Sequence, residues 1–463
     1  MLKRYTSLLL FFPLLSLAQW KGFKVPASYP TSDSVHLVHT NDITGDGMPD
    51  LTLFYKANHT RFSIRKGNGN GDFDRPLHQF KPDNFHLSDI ADLNRDGYPD
   101  MVIASYRNNG FRIFWGTGNG QMREGAFYPT GVHGRNIKCS DINNDGRIDI
   151  IATTSGSGRT IHLHVFLGKG NGQFEERQSF PSVLDTCKEV YITDKNGDGL
   201  PDVAVSSSFP WIVVFIQQTD GRFVPEYYPT YTVAKVAWED INKDGRDDLV
   251  LLYPSFENSP DSDSLVIRFN PGGLTFSPGF HVDNFRNRLI RPSRMRAGDI
   301  NKDGYEDLLF DHTDEDGEWS DSLFYMLGQG QGRFEDPRSM VMPSSVLYFE
   351  LADMNSDGWL DIVASTANAS VSIAFADASH PGGEKQLLMV YPNPARNFFY
   401  VETGLSSSYN LSLYNSAGQL VKEGKARINK TKWETAGLPH GIYFLKASNA
   451  AGQQQVQTLK VGW

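Results

Sequence analysis

Polar and apolar residues recur in the same order at intervals along the chain. In each copy, apolar residues stand two and four positions before an aspartate, as Trp238 and Val236 do before Asp240. This alternation predicts a β-strand with one buried face. The ninth residue from that aspartate opens an apolar run, DLVLL at Asp248, which predicts a strand buried on both faces. A third strand, a glycine-rich turn and a fourth strand follow, so each copy predicts four strands.

The nine residues between the first and second strands are nearly constant in type. They begin at seven places, which are Asp42, Asp92, Asp141, Asp194, Asp240, Asp299 and Asp353. Successive copies start 46 to 59 residues apart, a period typical of propeller blades. The pattern therefore predicts an all-β fold, a seven-bladed β-propeller over residues 19–377.

The last copy is incomplete, because no glycine-rich turn and no fourth strand follow Val371–Asp377. The segment Lys21–Pro30, KGFKVPASYP, is similar to the fourth-strand segments of other copies, such as GRFVPEYYP. We expect it to form the outer strand of the last blade. Closing the ring with the N-terminal strand would remove an exposed sheet edge.

The repeated acidic segments predict calcium sites. Ca²⁺ prefers six to eight oxygen ligands, and positions 1, 3, 5 and 9 carry carboxylate, amide or hydroxyl oxygens, while the glycine at position 6 permits a sharp turn. An EF-hand is excluded, because position 12 is apolar, as at Leu53, and strands flank the segment. Simple hairpin turns are the alternative, but sevenfold recurrence favours up to seven structural Ca²⁺ ions. The predicted ligands are Asp42, Thr44, Asp46, Asp50, Asp92, Asn94, Asp96, Asp100, Asp141, Asn143, Asp145, Asp149, Asp194, Asn196, Asp198, Asp202, Asp240, Asn242, Asp244, Asp248, Asp299, Asn301, Asp303, Asp307, Asp353, Asn355, Asp357 and Asp361.

These repeats resemble the FG-GAP/VCBS family, which forms the calcium-binding propeller of integrin α-chains and of several bacterial surface proteins and fungal lectins. The resemblance extends from about Trp20 to Asp377. It implies structural calcium and a propeller, but it does not imply a particular partner.

The two ends of the chain differ from the repeats. Residues 1–18 have a basic start, an apolar stretch and small residues before Gln19, which predicts a secretory signal peptide. Residues 378–388 are predicted to be a linker, and residues 389–463 a small β-sandwich. Its strings YPNP at Tyr391, LYNSAGQ at Leu413 and LPHGIY at Leu438 resemble the C-terminal sorting domain of type IX secretion cargo. The resemblance implies contact with that machinery and a secreted or outer-surface location; an ordinary accessory sandwich is the alternative.

Composition excludes some classes of protein. The net charge of −10 and the lack of a Lys/Arg-rich patch argue against a nucleic-acid partner. No later apolar segment is long enough to span a membrane. We expect Cys139 and Cys187 to be free thiols, because their positions along neighbouring strands differ by about 16 Å. His162 and His164 alternate on one face of a strand, and we expect packing rather than a transition-metal site, since no third ligand is nearby.

The predicted partner surface lies opposite the acidic loops. Loops on that face carry aromatic residues, namely Tyr106, Phe209, Trp211, Phe256 and Trp319, and two insertions, 255–264 and 311–321. Aromatic residues on loops held by a rigid scaffold favour ligand binding, and local packing is the alternative. The leading hypothesis is a monomeric binding or adhesion module for a glycan or an extracellular protein. The alternatives are a lyase-like, polysaccharide-degrading enzyme, although no catalytic motif is evident, and a structural surface component.

Overall fold

The structure is a computed structural model. It describes residues 19–55, 61–80, 85–105, 108–131, 134–155, 160–182, 187–207, 211–230, 235–253, 265–273, 275–282, 294–313, 319–379, 388–391, 398–403, 409–426, 431–448 and 454–461. All regular elements in these ranges are β-strands. The predicted signal peptide, residues 1–18, lies outside them. No helix long and apolar enough to cross a membrane occurs in the described ranges.

Four-stranded antiparallel sheets repeat along the chain, as the sequence predicts. Within the described residues there are seven before residue 380, numbered here in chain order. The chain first forms β1 (Gln19–Phe23) and β2 (Ala27–Pro30). Sheet 1 contains β3 (Val35–Asn41), β4 (Asp50–Tyr55), β5 (Phe62–Arg65) and β6 (His78–Phe80). Sheet 2 contains β7 (Phe85–Ala91), β8 (Asp100–Ser105), β9 (Gly110–Gly116) and β10 (Met122–Pro129). Sheet 3 contains β11 (Gly134–Ser140), β12 (Asp149–Ser155), β13 (Ile161–Phe166) and β14 (Gln178–Ser182).

The next three sheets follow the same order. Sheet 4 contains β15 (Glu189–Thr193), β16 (Asp202–Ser206), β17 (Trp211–Gln217) and β18 (Phe223–Pro229). Sheet 5 contains β19 (Lys235–Glu239), β20 (Asp248–Leu252), β21 (Leu265–Arg268) and β22 (Phe280–His281). Sheet 6 contains β23 (Met295–Gly298), β24 (Asp307–Thr313), β25 (Trp319–Met326) and β26 (Arg338–Val341).

Sheet 7 takes its outer strand from the other end of the chain. Its consecutive strands are β27 (Val346–Ala352), β28 (Asp361–Thr366) and β29 (Ser370–Ala374). The fourth strand is β2, which pairs antiparallel with β29 so that Ala27 stands opposite Ile373 and Pro30 opposite Ser370. Next to this sheet, β1 pairs with β30 (Ala376–Ser379). The segment Lys21–Pro30 thus lies where its similarity to the other outer strands predicts.

Apolar clusters fill the space between successive sheets. The second strand of each sheet contributes residues to two apolar clusters, one on each face. In β20, Leu249 packs towards sheet 4, whereas Val250 packs towards sheet 6. This is why apolar residues occupy both faces of the second strands, and the prediction that they are buried on both faces is confirmed for β4, β8 and β20. Six clusters join sheets 1 to 7 in order. A seventh packs Val371 of sheet 7 against Val35 of sheet 1.

The C-terminal part forms two further sheets. One contains β31 (Leu388–Tyr391), β32 (Phe398–Thr403) and β35 (Thr431–Glu434), and the other β33 (Tyr409–Asn415), β34 (Leu420–Ala426), β36 (Gly441–Ser448) and β37 (Gln454–Val461). Phe399 and Trp433 of the first sheet share one apolar core with Leu411 and Leu445 of the second. Two sheets on one core form the small sandwich that alternating apolar residues predict.

Candidate metal centres and binding face

The acidic segments are loops that connect the first two strands of each sheet, and all seven are built alike. In the loop from Asp141, one carboxylate oxygen of that residue accepts the backbone N–H of Asp145 at 2.9 Å and the other accepts Gly146 N–H at 2.7 Å. Equivalent pairs of hydrogen bonds form in the other six loops. Gly146 has a φ of 79°, and a positive φ recurs at position 6 of every loop, so the glycine there is a conformational requirement.

The ninth residue of each loop joins two parts of its sheet. One oxygen of Asp149 accepts Ile142 N–H from its own loop at 2.9 Å, and the other accepts Gly168 N–H, just after the third strand, at 2.6 Å. The carboxylate is fully buried here and in the other six loops. Two equivalent hydrogen bonds form in each of those loops. This structural role is one that the sequence did not reveal.

The loops concentrate negative charge in partly buried positions. Burial raises the pKa of the ninth aspartate, and the other acidic residues of the loop add to the effect. The pKa rises to about 6 for Asp50, Asp149, Asp202 and Asp248, and to about 7 for Asp100, Asp307 and Asp361. Burial, followed by Asp357, likewise raises the pKa of Asp353 to about 6. A bound cation would offset the cost of keeping these groups ionised.

The donors in each loop suit a hard cation such as Ca²⁺. The structure places all predicted ligands in their loops, four in each, and every one offers oxygen. The hydroxyl of Thr44 is buried without a well-formed hydrogen bond, so its oxygen remains available in the first loop. In the described residues, no three Asp, Glu, His or Cys side chains are grouped closely enough to hold a metal by themselves. A cation would therefore also need the oxygen at position 3 and backbone oxygens, as calcium commonly does.

Three loops already contain a basic side chain beside the fifth residue. Lys66 Nζ lies 2.8 Å from an Asp46 carboxylate oxygen, and Arg246 lies 2.6 Å from Asp244. Arg147 lies 3.5 Å from Asp145. The equivalent residues of the other four loops, Asp96, Asp198, Asp303 and Asp357, have no such partner in the described part of the chain. The seven loops are therefore alike in backbone but unequal in charge.

Each loop also contacts the next through its fourth residue. The Arg95 guanidinium donates to the Gly146 carbonyl at 2.8 Å, and the Asn144 amide donates to the Gly199 carbonyl at 2.7 Å. Lys302 Nζ lies 4.9 Å from the centre of the Trp359 ring in the following loop. These three contacts join loops 2 to 3, 3 to 4 and 6 to 7.

The remaining neighbours are in contact as well. Lys243 Nζ lies 5.6 Å from the Tyr305 ring, which joins loops 5 and 6. Gly45 of loop 1 lies beside Tyr98 of loop 2, and Gly197 of loop 4 lies beside Arg246 of loop 5. A small residue therefore occupies the fourth position in these two loops, where a side chain of the next loop is near. Ser356 Oγ lies 3.9 Å from Met48 Sδ, which joins loop 7 to loop 1. All seven fourth residues have positive φ, a regularity that the varied side chains conceal in the sequence.

The other end of the sheets carries the predicted ligand face. Trp211 opens the third strand of sheet 4 there, and its side chain is 40% exposed. Trp319 opens the third strand of sheet 6, but its side chain is outside what the structure describes. Tyr106, Phe209 and Phe256 also lie outside the described residues. Trp211 is thus the candidate whose exposure the structure supports.

The remaining histidine and cysteine predictions can be compared with the structure. His164 is buried, and its two ring nitrogens lie 2.9 Å from Thr154 Oγ1 and 2.8 Å from Ser179 Oγ. Both ring nitrogens of His164 are therefore engaged in packing contacts of the kind expected for it. Cys139 and Cys187 are not joined in a disulfide, as expected.

The first strands carry polar residues that the sequence analysis did not single out. In sheets 3, 4, 6 and 7 they occupy both the third and the fifth position before the loop, between the apolar positions that define the strand. Examples are Arg294, just before β23, Arg296 on β23, and Tyr348 and Glu350 on β27. The chemical type of these alternating residues could have identified them in the sequence, because they are charged or aromatic in sheets 4, 6 and 7.

Repeated four-stranded sheets, each with an acidic loop between its first two strands, are consistent with the blades of a propeller. Residues 92–152, 141–205, 194–251 and 240–310 match the FG-GAP-like repeat, and each match begins at the first aspartate of a loop. Residues 389–461 match the secretion system C-terminal sorting domain. The chain therefore contains FG-GAP-like repeats and a type IX sorting domain. It is exported by type IX secretion and is secreted or held at the cell surface.

Similarity to individual proteins is limited. Phosphatidylinositol-glycan-specific phospholipase D of Bos taurus is 29% identical over 153 residues, which cover 26% of this chain and 18% of that protein. A T-cell immunomodulatory protein homolog of Plasmodium falciparum is 25% identical over 271 residues, which cover 48% of this chain and 36% of that protein. The chain therefore matches well under half the length of either relative.

Two solved structures are similar at a distance. A functionally unknown protein from Desulfotomaculum acetoxidans has a TM-score of 0.46 and 11% identity, covering 80% of this chain and 96% of its own. Sqt1 of Saccharomyces cerevisiae has a TM-score of 0.46 and 9% identity, covering 78% of this chain and 100% of its own. Neither likeness adds to the argument about function.

Proposed function

We propose that the chain is a calcium-stabilised, seven-bladed propeller, closed by its own N-terminal strand, that acts outside the cell as a binding or adhesion module for a glycan or protein. The packing of sheet 7 against sheet 1, through Val371 and Val35, supports a closed ring. The pairing of β2 with β29 supports the N-terminal strand as its closure.

One observation carries the binding role: the two ends of the sheets differ in regularity. At one end, seven similar loops contact one another, and their side chains form hydrogen bonds that stabilise the sheets. At the other end, loops of different length connect the strands and expose Trp211. A rigid scaffold with variable loops on one face is the usual design of a binding protein.

The calcium role is tested by removing the ion. We expect the melting temperature to fall steeply in EDTA and to return when Ca²⁺ is added in excess, because metal binding contributes to folding free energy. Mg²⁺ should restore less of the lost melting temperature than Ca²⁺, since it demands six ligands in a stricter geometry. An identical melting temperature in EDTA and in Ca²⁺ would remove the calcium assignment.

The binding role is tested on a glycan array and by adhesion to extracellular proteins, each with and without EDTA. Trp211→Ala should weaken binding, whereas Tyr98→Ala should not, because Tyr98 is equally exposed but lies on the acidic loops. Breakdown of a polyuronate by the purified protein, seen as rising absorbance from new double bonds, would instead support the lyase alternative.

A further inference from the structure

Two arginines and a tyrosine meet between sheets 6 and 7. The Arg294 and Arg296 guanidinium groups lie 5.3 and 5.6 Å from the centre of the Tyr348 ring. Arg296 donates to the Tyr348 hydroxyl at 3.3 Å, and that hydroxyl donates to Glu350 at 2.7 Å. An arginine, a phenol and a carboxylate thus form one hydrogen-bonded chain.

Residues of sheet 4 face the same arginines. On β15, the Tyr191 hydroxyl lies 2.5 Å from a Glu189 carboxylate oxygen. Burial would lower the pKa of Arg296, but Tyr348, Glu189 and Glu350 together raise it above its ordinary value. The effect of Glu189 on the pKa of Arg296 indicates that the first strands of sheets 4, 6 and 7 face one another, although sheet 5 lies between sheets 4 and 6 in order. Such convergence is expected only where the first strands surround a common centre.

The hydrogen-bonding capacity of Arg296 is only partly used. A guanidinium has five N–H donors, and the bonds that Arg296 makes go to two neutral acceptors, the Met295 carbonyl and the Tyr348 hydroxyl. In the described residues, no carboxylate lies at ion-pair distance from it. The neighbouring Arg294 side chain is 24% exposed, so solvent reaches this group of residues. A partly buried guanidinium with unused donors beside solvent is suited to bind a polar ligand.

The charges around this group balance. The basic residues are Lys188, Lys235, Arg294 and Arg296, and the acidic residues that face them are Glu189, Glu239, Asp311 and Glu350, four of each formal charge. A balanced set gives little net attraction for a polyanion, such as a polyuronate or a nucleic acid. It does supply both donors and acceptors next to two tyrosine rings, which is what the hydroxyl groups and the apolar face of a sugar require.

The location separates this group from the acidic loops. Its members on the first strands stand three or five residues before the first aspartate of a loop, which corresponds to about 10 to 17 Å along a strand. They therefore lie towards the end of the sheets where Trp211 is exposed. A ligand could contact both without touching the acidic loops.

We propose that Glu189, Tyr191, Arg294, Arg296, Tyr348 and Glu350, the axial cluster, form a subsite for one neutral sugar residue of a glycan. The arginines donate to sugar hydroxyls, the two glutamates accept from them, and the tyrosine rings pack against the sugar face. This assignment rests on the proposed glycan-binding role and specifies its chemistry.

The test compares variants that keep the size of the side chain. Tyr348→Phe removes one hydroxyl, and Glu350→Gln removes one charge; Lys302→Gln, on the acidic-loop face, is the matched control. Binding is measured by calorimetry in Ca²⁺ with neutral oligosaccharides of glucose, galactose and mannose and with galacturonate oligomers. We expect Tyr348→Phe and Glu350→Gln to weaken binding of a neutral sugar at least tenfold, with the control unchanged and all melting temperatures similar.

The outcomes separate this inference from the broader proposal. Wild-type binding to a neutral sugar that neither variant weakens would overturn the axial cluster as the subsite and leave glycan binding in place. Binding only to galacturonate oligomers would overturn the argument from charge balance. Failure of the wild-type protein to bind any glycan would overturn this inference together with the glycan-binding role. If Tyr348→Phe does not fold, Glu350→Gln alone tests the subsite, because the proposal requires each of the two variants to weaken binding.

Discussion

At the scale of single residues, the ninth aspartate of each loop has a role that its place in the motif does not reveal. The repeat identified it as an oxygen donor, and the structure adds that it accepts two backbone N–H groups. The second of these lies 15 to 22 residues further along the chain. Because that separation varies with the lengths of the second and third strands and of the segment that connects them, no fixed spacing in the sequence indicates the partner.

Loss of this carboxylate should destabilise the protein even without metal. Asp149→Ala would leave the N–H groups of Ile142 and Gly168 buried and unpaired, which should cost about 2–4 kcal/mol of unfolding free energy. Asp145→Ala in the same loop should cost well under 1 kcal/mol in EDTA, because that residue is exposed and water can replace it. Urea unfolding in EDTA measures the loss of unfolding free energy in both variants. Equal losses would contradict a special structural role for the ninth aspartate.

His164 should make stability depend on pH. Burial, reinforced by Arg177 and His162, lowers its pKa from 6.5 to about 3. Below about pH 6.5, His164 is protonated in the unfolded chain but stays neutral in the folded chain. The contribution of His164 to stability is therefore lost as the pH falls from 6.5 towards 3. His164→Gln should therefore show a smaller loss of unfolding free energy between pH 6.5 and 4 than the wild-type protein.

The matched control is His162→Gln, on the same strand. It should retain the wild-type slope of unfolding free energy against pH, because His164 remains buried and neutral. Parallel slopes for the wild-type protein and His164→Gln would show that this histidine is not responsible.

At the scale of elements, the sequence predicted the loops well but not how they differ. Four strands per repeat and the loop position followed from regular spacing. The contacts between loops did not, because the fourth residue is Gly, Arg, Asn, Lys or Ser and shares only a positive φ. The basic partners were hidden for a different reason. Lys66 lies after the third strand of its sheet, whereas Arg147 and Arg246 lie within their loops.

The three loops whose fifth residue pairs with a basic side chain should fill last with calcium. Lys66, Arg147 and Arg246 must give up an ion pair when Ca²⁺ approaches, and an exposed pair is worth about 0.2–1 kcal/mol. Replacing all three with Gln should therefore strengthen the weaker sites by roughly twofold to fivefold. Calorimetric titration of the metal-free protein with Ca²⁺ would measure this change.

Arg222→Gln is the control for that titration, because Arg222 pairs with Asp220 in the turn between β17 and β18, and neither residue belongs to an acidic loop. Its isotherm should match that of the wild-type protein. A triple variant with an unchanged isotherm would show that these basic side chains do not compete with the ion.

At the scale of the whole molecule, the sequence predicted which segment completes sheet 7. The similarity of Lys21–Pro30 to other outer strands was sufficient, because a sheet with three strands leaves an edge to be filled. The convergence of polar side chains from sheets 4, 6 and 7 was not predictable in the same way. It depends on which first strands face one another, and that is a property of the assembled sheets rather than of any one repeat.

Removal of the first two strands should expose the edge of β29. A chain lacking residues 19–32 should melt at a lower temperature and self-associate, because β29 would present unpaired backbone groups. Light scattering coupled to size-exclusion chromatography would detect the association. Val25→Ser should leave both properties unchanged, since Val25 is 90% exposed; a truncated chain that remains monomeric and equally stable would argue against this role for the segment.

The pairing of β1 with β30 places Gln19 opposite Ser379. The start of the described chain and the last strand before the sorting domain are therefore neighbours in space, although 360 residues of sequence separate them. A circularly permuted protein could join these two ends through a short linker and open instead in a surface loop between two sheets. The sorting domain could then be fused next to a different sheet, which would change the orientation in which the repeated sheets are presented to their surroundings.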